Sequence, residues 1–154
     1  MLTLEDFDVR RLLMTSIAFA FATATAAYAD EIAAVKITKR DVAGEIFLRK
    51  DAIKIYRDDY IDTDVPTFTS KDASSQTGFY KSGPFREYFN GPDGYPKNEF
   101  AYFISGSETL TSTDGSVIVV NSGEGVTIPK GWTGTLDTPG FTKIYAIESP
   151  DGKL

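Results

Sequence analysis

The chain predicts an all-β domain, a sandwich or a barrel, and three observations lead there. From Glu31 onward the apolar residues fall in short runs rich in β-branched and aromatic side chains, as strands require. No stretch after residue 29 repeats its apolar residues at the helical period of about 3.6. Gly, Pro and Asp punctuate the runs, with 13 Gly and 7 Pro in 154 residues, a length that suits one core.

Residues 1–29 read as a signal peptide. Arg10 and Arg11 precede the apolar run 12–22, and Ala27-Tyr28-Ala29 fits the small-x-small cleavage pattern ahead of Asp30. The run is shorter than the roughly 20 residues of a membrane span. The expected organisation is a leader over 1–29, cleaved after Ala29, and one domain over 30–154 that is periplasmic or secreted. The leader takes two basic and three acidic residues from the chain's 16 and 22, leaving 14 and 19, a net charge of −5. That balance supplies no basic face for nucleic acid. No basic amphipathic stretch would hold the mature chain on a membrane.

Taken in order, Ile32–Thr38 alternates loosely and suits an edge or arm strand. Such an arm could add to a second copy's sheet to make a homodimer, and an arm paired within its own chain accounts for the same residues. Glu45–Leu48 and Ile53–Tyr56 are short strand candidates around the charged Arg49-Lys50-Asp51. Asp58–Asp64 reads as a solvated acidic loop closed by Pro66, because its spacing lacks the Gly and terminal Glu of a calcium loop. Thr67–Thr69, Gln76–Lys81 and Phe85–Phe89 follow as strands, and Asn90–Pro96 is a rigid loop of turn residues. Glu99–Ile104, Glu108–Thr111, Val117–Val120, Val126–Ile128 and Thr142–Glu148 complete the set.

Two zeros narrow the chemistry. Without Cys there is no disulfide, thiol nucleophile or thiolate metal site. Without His the Ser-His-Asp triad and imidazole ligation are both excluded, and with them a tight site for zinc, copper, nickel or iron. No cofactor is expected, and any reaction rests on carboxylates, Lys, Tyr or Arg.

The stretch from Glu99 to Thr138 resembles the cupins, whose fold is a jelly-roll barrel, the double-stranded β-helix. Gly123, five residues, Pro129, one residue and Gly131 match the second cupin motif, with Gly134 where that motif carries His. Glu99, six residues and Gly106 match the end of the first motif, whose two His positions fall on Asp93 and Tyr95. Glu99-Phe100-Ala101-Tyr102, Ile128-Pro129-Lys130-Gly131-Trp132-Thr133-Gly134-Thr135 and Lys143-Ile144-Tyr145 further resemble the subgroup of the ethanolamine-utilisation and ureidoglycine aminohydrolase cupins. The likeness spans about residues 75–149. The aminohydrolase's His-containing metal site has no counterpart here, so that activity is not implied.

The resemblance implies a single cupin barrel. If Glu99 faces its interior, Ala101 and Phe103 do too, and the alternative places Glu99 at the barrel mouth, bridged to a Lys as a feature of the fold. A carboxylate inside the barrel must be paired or become neutral. Arg86, Lys143, Tyr80 and Tyr145 are its candidate partners, and one of the cations would fix an anionic group of a ligand. Tyr80, Arg86, Tyr95, Glu99, Trp132, Lys143 and Tyr145 are thus the candidate ligand-binding residues, and Glu99 the candidate catalytic acid/base. Trp132 would stack on a ligand at the rim or cover the barrel end. Asp93 with Glu99 could hold a hard cation through oxygen, although Asp93-Gly94 is also ordinary turn chemistry. Three functions compete: a module binding a small polar or anionic molecule, an enzyme acting on a small carboxylate or amine, and a structural module with its barrel packed shut.

Overall fold

The computed structural model describes residues 33–149; the expected leader lies outside them. Eight strands follow one another, all paired antiparallel: β1 (Ile53–Tyr56), β2 (Ile61–Thr69), β3 (Ser75–Ser82), β4 (Phe85–Phe89), β5 (Asn98–Ser112), β6 (Val117–Asn121), β7 (Gly125–Ile128) and β8 (Gly134–Glu148). β5 and β8 pair with each other along their whole lengths and carry every other strand on their flanks. The first half of β5 takes β7 and its second half takes β6. The second half of β8 takes β3, and through it β2 and β1, while the first half takes β4. The two halves thus form two sheets joined by two shared strands. Ala101, Phe103, Val126, Ile128 and Phe141 of one sheet and Leu110, Val120 and Leu136 of the other make a single buried cluster. This is the all-β class that the patterning predicts and the jelly-roll barrel that the resemblance implies.

The shared strands change sheet at Gly106 and Gly140. The β5–β8 register slips between Phe103 and Ser105 and again between Ser107 and Thr109. Alternation along a strand would otherwise keep odd residues inward throughout. Here Glu99, Ala101 and Phe103 are buried before the slips, and Glu108 and Leu110 after them. β8 switches likewise, from Leu136 and Thr138 to Phe141 and Tyr145. Gly106 has φ +77°, and a Cβ built on it would lie 2.1 Å from the Gly140 carbonyl oxygen. Only glycine allows both the backbone angle and the contact.

Three sequence expectations are corrected. Residues 33–38, the described part of the expected arm strand, join no sheet. Thr38 instead caps the helical turn α1 (Lys39–Val42), accepting from the Asp41 amide at 3.2 Å while Asp41 accepts from the Thr38 amide at 2.8 Å. Glu45–Leu48 is a 3₁₀ turn rather than a strand. Its Ile46 and Phe47 must cover the outer sheet face around Val65 and Phe79, with the Phe47 and Phe79 rings edge to face at 6.3 Å. The expected acidic loop is instead largely strand: Ile61 to Asp64 pair with β1, and β2 runs through Pro66. Pro66 is tolerated because β1 pairing ends at Asp64, so the missing amide has no partner to serve on that side.

Gly106→Ala should lower stability by about 2–4 kcal/mol, from the left-handed conformation and the overpacking together. Gly115→Ala, at φ +88° with open space around it, should lose only the conformational part of about 1–2 kcal/mol. Urea unfolding of the two variants separates these contributions, and equal losses would show that the Gly106–Gly140 contact does not constrain the bend.

Candidate binding site

The barrel encloses a cavity of about 540 Å³, open between β2, β3, β4 and the inner faces of β5 and β8. The barrel is not packed shut. Register sets the inner rows: Asp64, Tyr80, Lys143 and Phe103 lie across four neighbouring strands, and Gln76, Ile147 and Glu99 form another row. Between these rows Tyr145 crosses Gly78, where an added Cβ would sit 2.4 Å from its hydroxyl. The bare backbone there lets the phenol reach Asp64.

Glu99 is 5% exposed; Oε2 is hydrogen-bonded, while Oε1 has no hydrogen bond and is met by an ion pair. Lys143 Nζ lies 2.7 Å from Oε1, and the Tyr95 hydroxyl donates to Oε2. A charge this deep is tolerated when it is both paired and hydrogen-bonded. The Lys143 ammonium also stands 5.0 Å above the Phe141 ring, whose face favours a cation. Tyr95 comes from the loop before β5. Its amide donates to the Trp132 carbonyl at 2.7 Å, its carbonyl accepts from the Gly131 amide at 2.8 Å, and its ring packs on Phe89 at 4.9 Å.

The same phenol–carboxylate pattern recurs twice. Tyr80 donates to Asp62 Oδ2 at 2.9 Å, which also accepts from Arg57 Nε at 3.0 Å. Tyr145 donates to Asp64 Oδ1 at 2.8 Å, with Gln76 Oε1 at 3.2 Å. Burial raises the pKa of all three tyrosines, and the adjacent carboxylates raise it further, so each remains a donor. Burial also raises Asp64, against the hydrogen bond from Tyr145.

Glu108 breaks the pattern. It is 1% exposed, it lines the cavity, and neither carboxylate oxygen has a hydrogen-bond partner. Burial pushes its carboxyl up to about 7; Lys143 pulls it down, and the charges of Glu99 and Glu87 raise it again.

The residues expected to bind a ligand divide into two groups. Tyr80, Tyr95, Glu99, Lys143 and Tyr145 meet in the cavity wall. Arg86 reaches its rim, with a side chain 59% exposed and Nε donating to Asp137 at 2.7 Å. Trp132 is not on this wall: its Nε1 donates to Ser112 Oγ at 3.0 Å and its ring packs against Phe89, so it covers the barrel end. Asp93 is exposed in its turn and does not line the cavity that holds Glu99. Among the described residues no cluster of three or more carboxylates is placed to hold a metal. The expectation that Arg86 or Lys143 would fix an anionic group meets a physical obstacle, since each already faces a carboxylate.

Sequence reasoning assigned no role to Asp62, Asp64 or Glu108. The two aspartates read as loop because four acidic residues crowd 58–64. Glu108 carried a signal in its alternation with Leu110, but its inward direction depends on the register slips in β5.

Glu108 yields a pH prediction. Folding raises its carboxyl from 4.5 to about 7, so between those values the native state holds a proton that the unfolded chain has released. Stability is therefore lost as pH rises through that window, and the loss is complete above about 7. Glu108→Gln should raise the urea midpoint at pH 8 and leave it unchanged at pH 4. Equal shifts at both would mean that the group titrates alike in the two states.

Residues 90–145 match the family model of the EutQ-like cupin domain. No curated protein matches. Among solved structures, ectoine synthase from P. lautus is 14% identical, with 75% of this chain and 78% of that chain covered at a TM-score of 0.53. A protein of unknown function from Rhizobium leguminosarum bv. viciae 3841 is 16% identical, with 76% and 98% covered and a TM-score of 0.51. The EutQ protein of Clostridium difficile is 20% identical, with 76% and 82% covered and a TM-score of 0.49. At these identities the first two structures speak to the fold alone. The matched segment runs from the Tyr95 loop through Glu99 and Glu108 to Lys143 and Tyr145, so over residues 90–145 the chain is similar to the EutQ-like cupin domain.

Proposed function

We propose that this chain is an exported cupin that binds a small polar molecule in its barrel. The observation that carries the reading is the buried cluster of Glu99, Lys143 and Tyr95 on the wall of an open cavity of about 540 Å³. A volume in this range suits a small-molecule pocket, where a few fixed polar groups in an otherwise apolar wall set orientation. The phenols of Tyr80, Tyr95 and Tyr145 and the ammonium of Lys143 are held in place before any ligand arrives, which lowers the cost of ordering on binding. Export is supported by the leader pattern of residues 1–29. The catalytic alternative with Glu99 as acid/base has less support, because both oxygens of that carboxylate are already engaged.

Thermal-shift screening of the purified protein against small polar metabolites tests the reading. Hits present at about 100 times their Kd should add about 2.7 kcal/mol of stability, and Glu99→Gln should weaken them at least tenfold. Hits indifferent to both Glu99→Gln and Tyr80→Phe would place binding elsewhere. Protein recovered from outside the cytoplasm should begin at Asp30; retention inside with residues 1–29 intact would remove the export half of the reading.

A further inference from the structure

Resting on the reading that this cavity binds a small molecule, we infer that the ligand is an organic cation whose N–H-bearing head, a primary ammonium or an amidinium, docks on the Glu108 carboxylate. Each of the cavity's other buried carboxylates has at least one donor or cation, although Asp62 Oδ1 has none. Asp62 accepts from Tyr80 and Arg57, Asp64 from Tyr145, and Glu99 from Tyr95 beside Lys143. Glu108, equally deep, has two oxygens aimed at the same space with no donor on either. A buried polar group left without a partner costs free energy, and a ligand that brings N–H donors removes that cost. Charge points the same way. Of the cations on the cavity wall, Lys143 is engaged by Glu99, Arg57 by Asp62 and Arg86 by Asp137, and Lys97 acts on Asp64, so an anion would enter against a Glu108 carboxylate that no cation pairs. The Phe85 ring on the same wall adds a surface that favours a cation over an anion, while Phe141 already carries the Lys143 ammonium.

The groups that act on Glu108 come from four places: Glu99 on its own strand, Lys143 on β8, Glu87 on the exposed rim of β4, and Tyr95 in the loop before β5. Lys143 is paired with Glu99, and burial together with Glu99 holds Tyr95 in its neutral form. The step that changes with pH is therefore loss of the Glu108 proton, which must precede docking of a cation. Cation affinity should rise with pH and level off above about 7.

The test uses four probes of one size: n-butylammonium, butyramidinium, n-butanol and butyrate, each titrated to tens of millimolar. Binding is followed by the ¹⁵N amide shifts of Glu108, Lys143 and Tyr145 in the purified protein. Both cations should bind saturably, weaken at least tenfold in Glu108→Gln, and weaken about tenfold per pH unit below 7 in the wild type. Butanol or butyrate binding as well as the cations, or Glu108→Gln leaving cation affinity intact, would overturn the inference and leave the cavity reading standing. Silence from all four probes would remove both. If Glu108→Gln fails to fold, the wild-type pH dependence decides alone: a flat profile between pH 5 and 8 overturns the inference.

Discussion

The passage of β5 and β8 from one sheet to the other, through the close contact of Gly106 with Gly140, is the constraint on which the barrel depends. Both strands must serve two sheets, and side chains on a straight strand would keep one parity from end to end. The register slips break that parity, so Glu99 and Phe103 face inward before the bend and Glu108 and Leu110 after it. One strand thereby contributes two carboxylates, nine positions apart, to one cavity. On an unslipped strand Glu108 would face outward, and the cavity would lose its unanswered group.

The electrostatics of the cavity follow from that placement. Buried carboxylates are costly, and the chain answers them chiefly with phenols instead of cations. A phenol beside a carboxylate is driven toward its neutral form by burial and by the neighbouring charge, so the donor is maintained over a wide pH range. This solution needs no His, which the sequence lacks. It leaves Lys143 as the one cation that pairs deep in the cavity among the described residues, 11% exposed and held by Glu99. The result is a pocket fixed in shape and rich in donors, with Glu108 as its single buried acceptor group wholly without a partner.

The outer face of the larger sheet shows how far local pattern can mislead. Glu45–Leu48 has the composition of a strand, yet its Ile46 and Phe47 are needed as a lid over Val65 and Phe79, and a short 3₁₀ turn delivers them. Asp62 and Asp64 have the composition of a loop, yet Tyr80 and Tyr145 wait on neighbouring strands to receive them. In both places a partner distant in sequence overrides the local preference, as tertiary packing commonly does.

By itself the sequence determined the all-β class, the positions of most strands and the glycine and proline turns, because these rest on local periodicity and backbone sterics. It also pointed to Glu99, Lys143 and Tyr145 through the motif likeness between residues 99 and 145, to Tyr95 where the first motif carries His, and to Tyr80 as a candidate partner of Glu99. The pairings among those residues were not legible, since Tyr145 meets Asp64 across 81 positions and Lys143 meets Glu99 across two strands. Nor was the inward direction of Glu108, or the retreat of Trp132 to the barrel end. Those depended on register and on the bends at Gly106 and Gly140, which are decided only when strands far apart in the chain hydrogen-bond to one another.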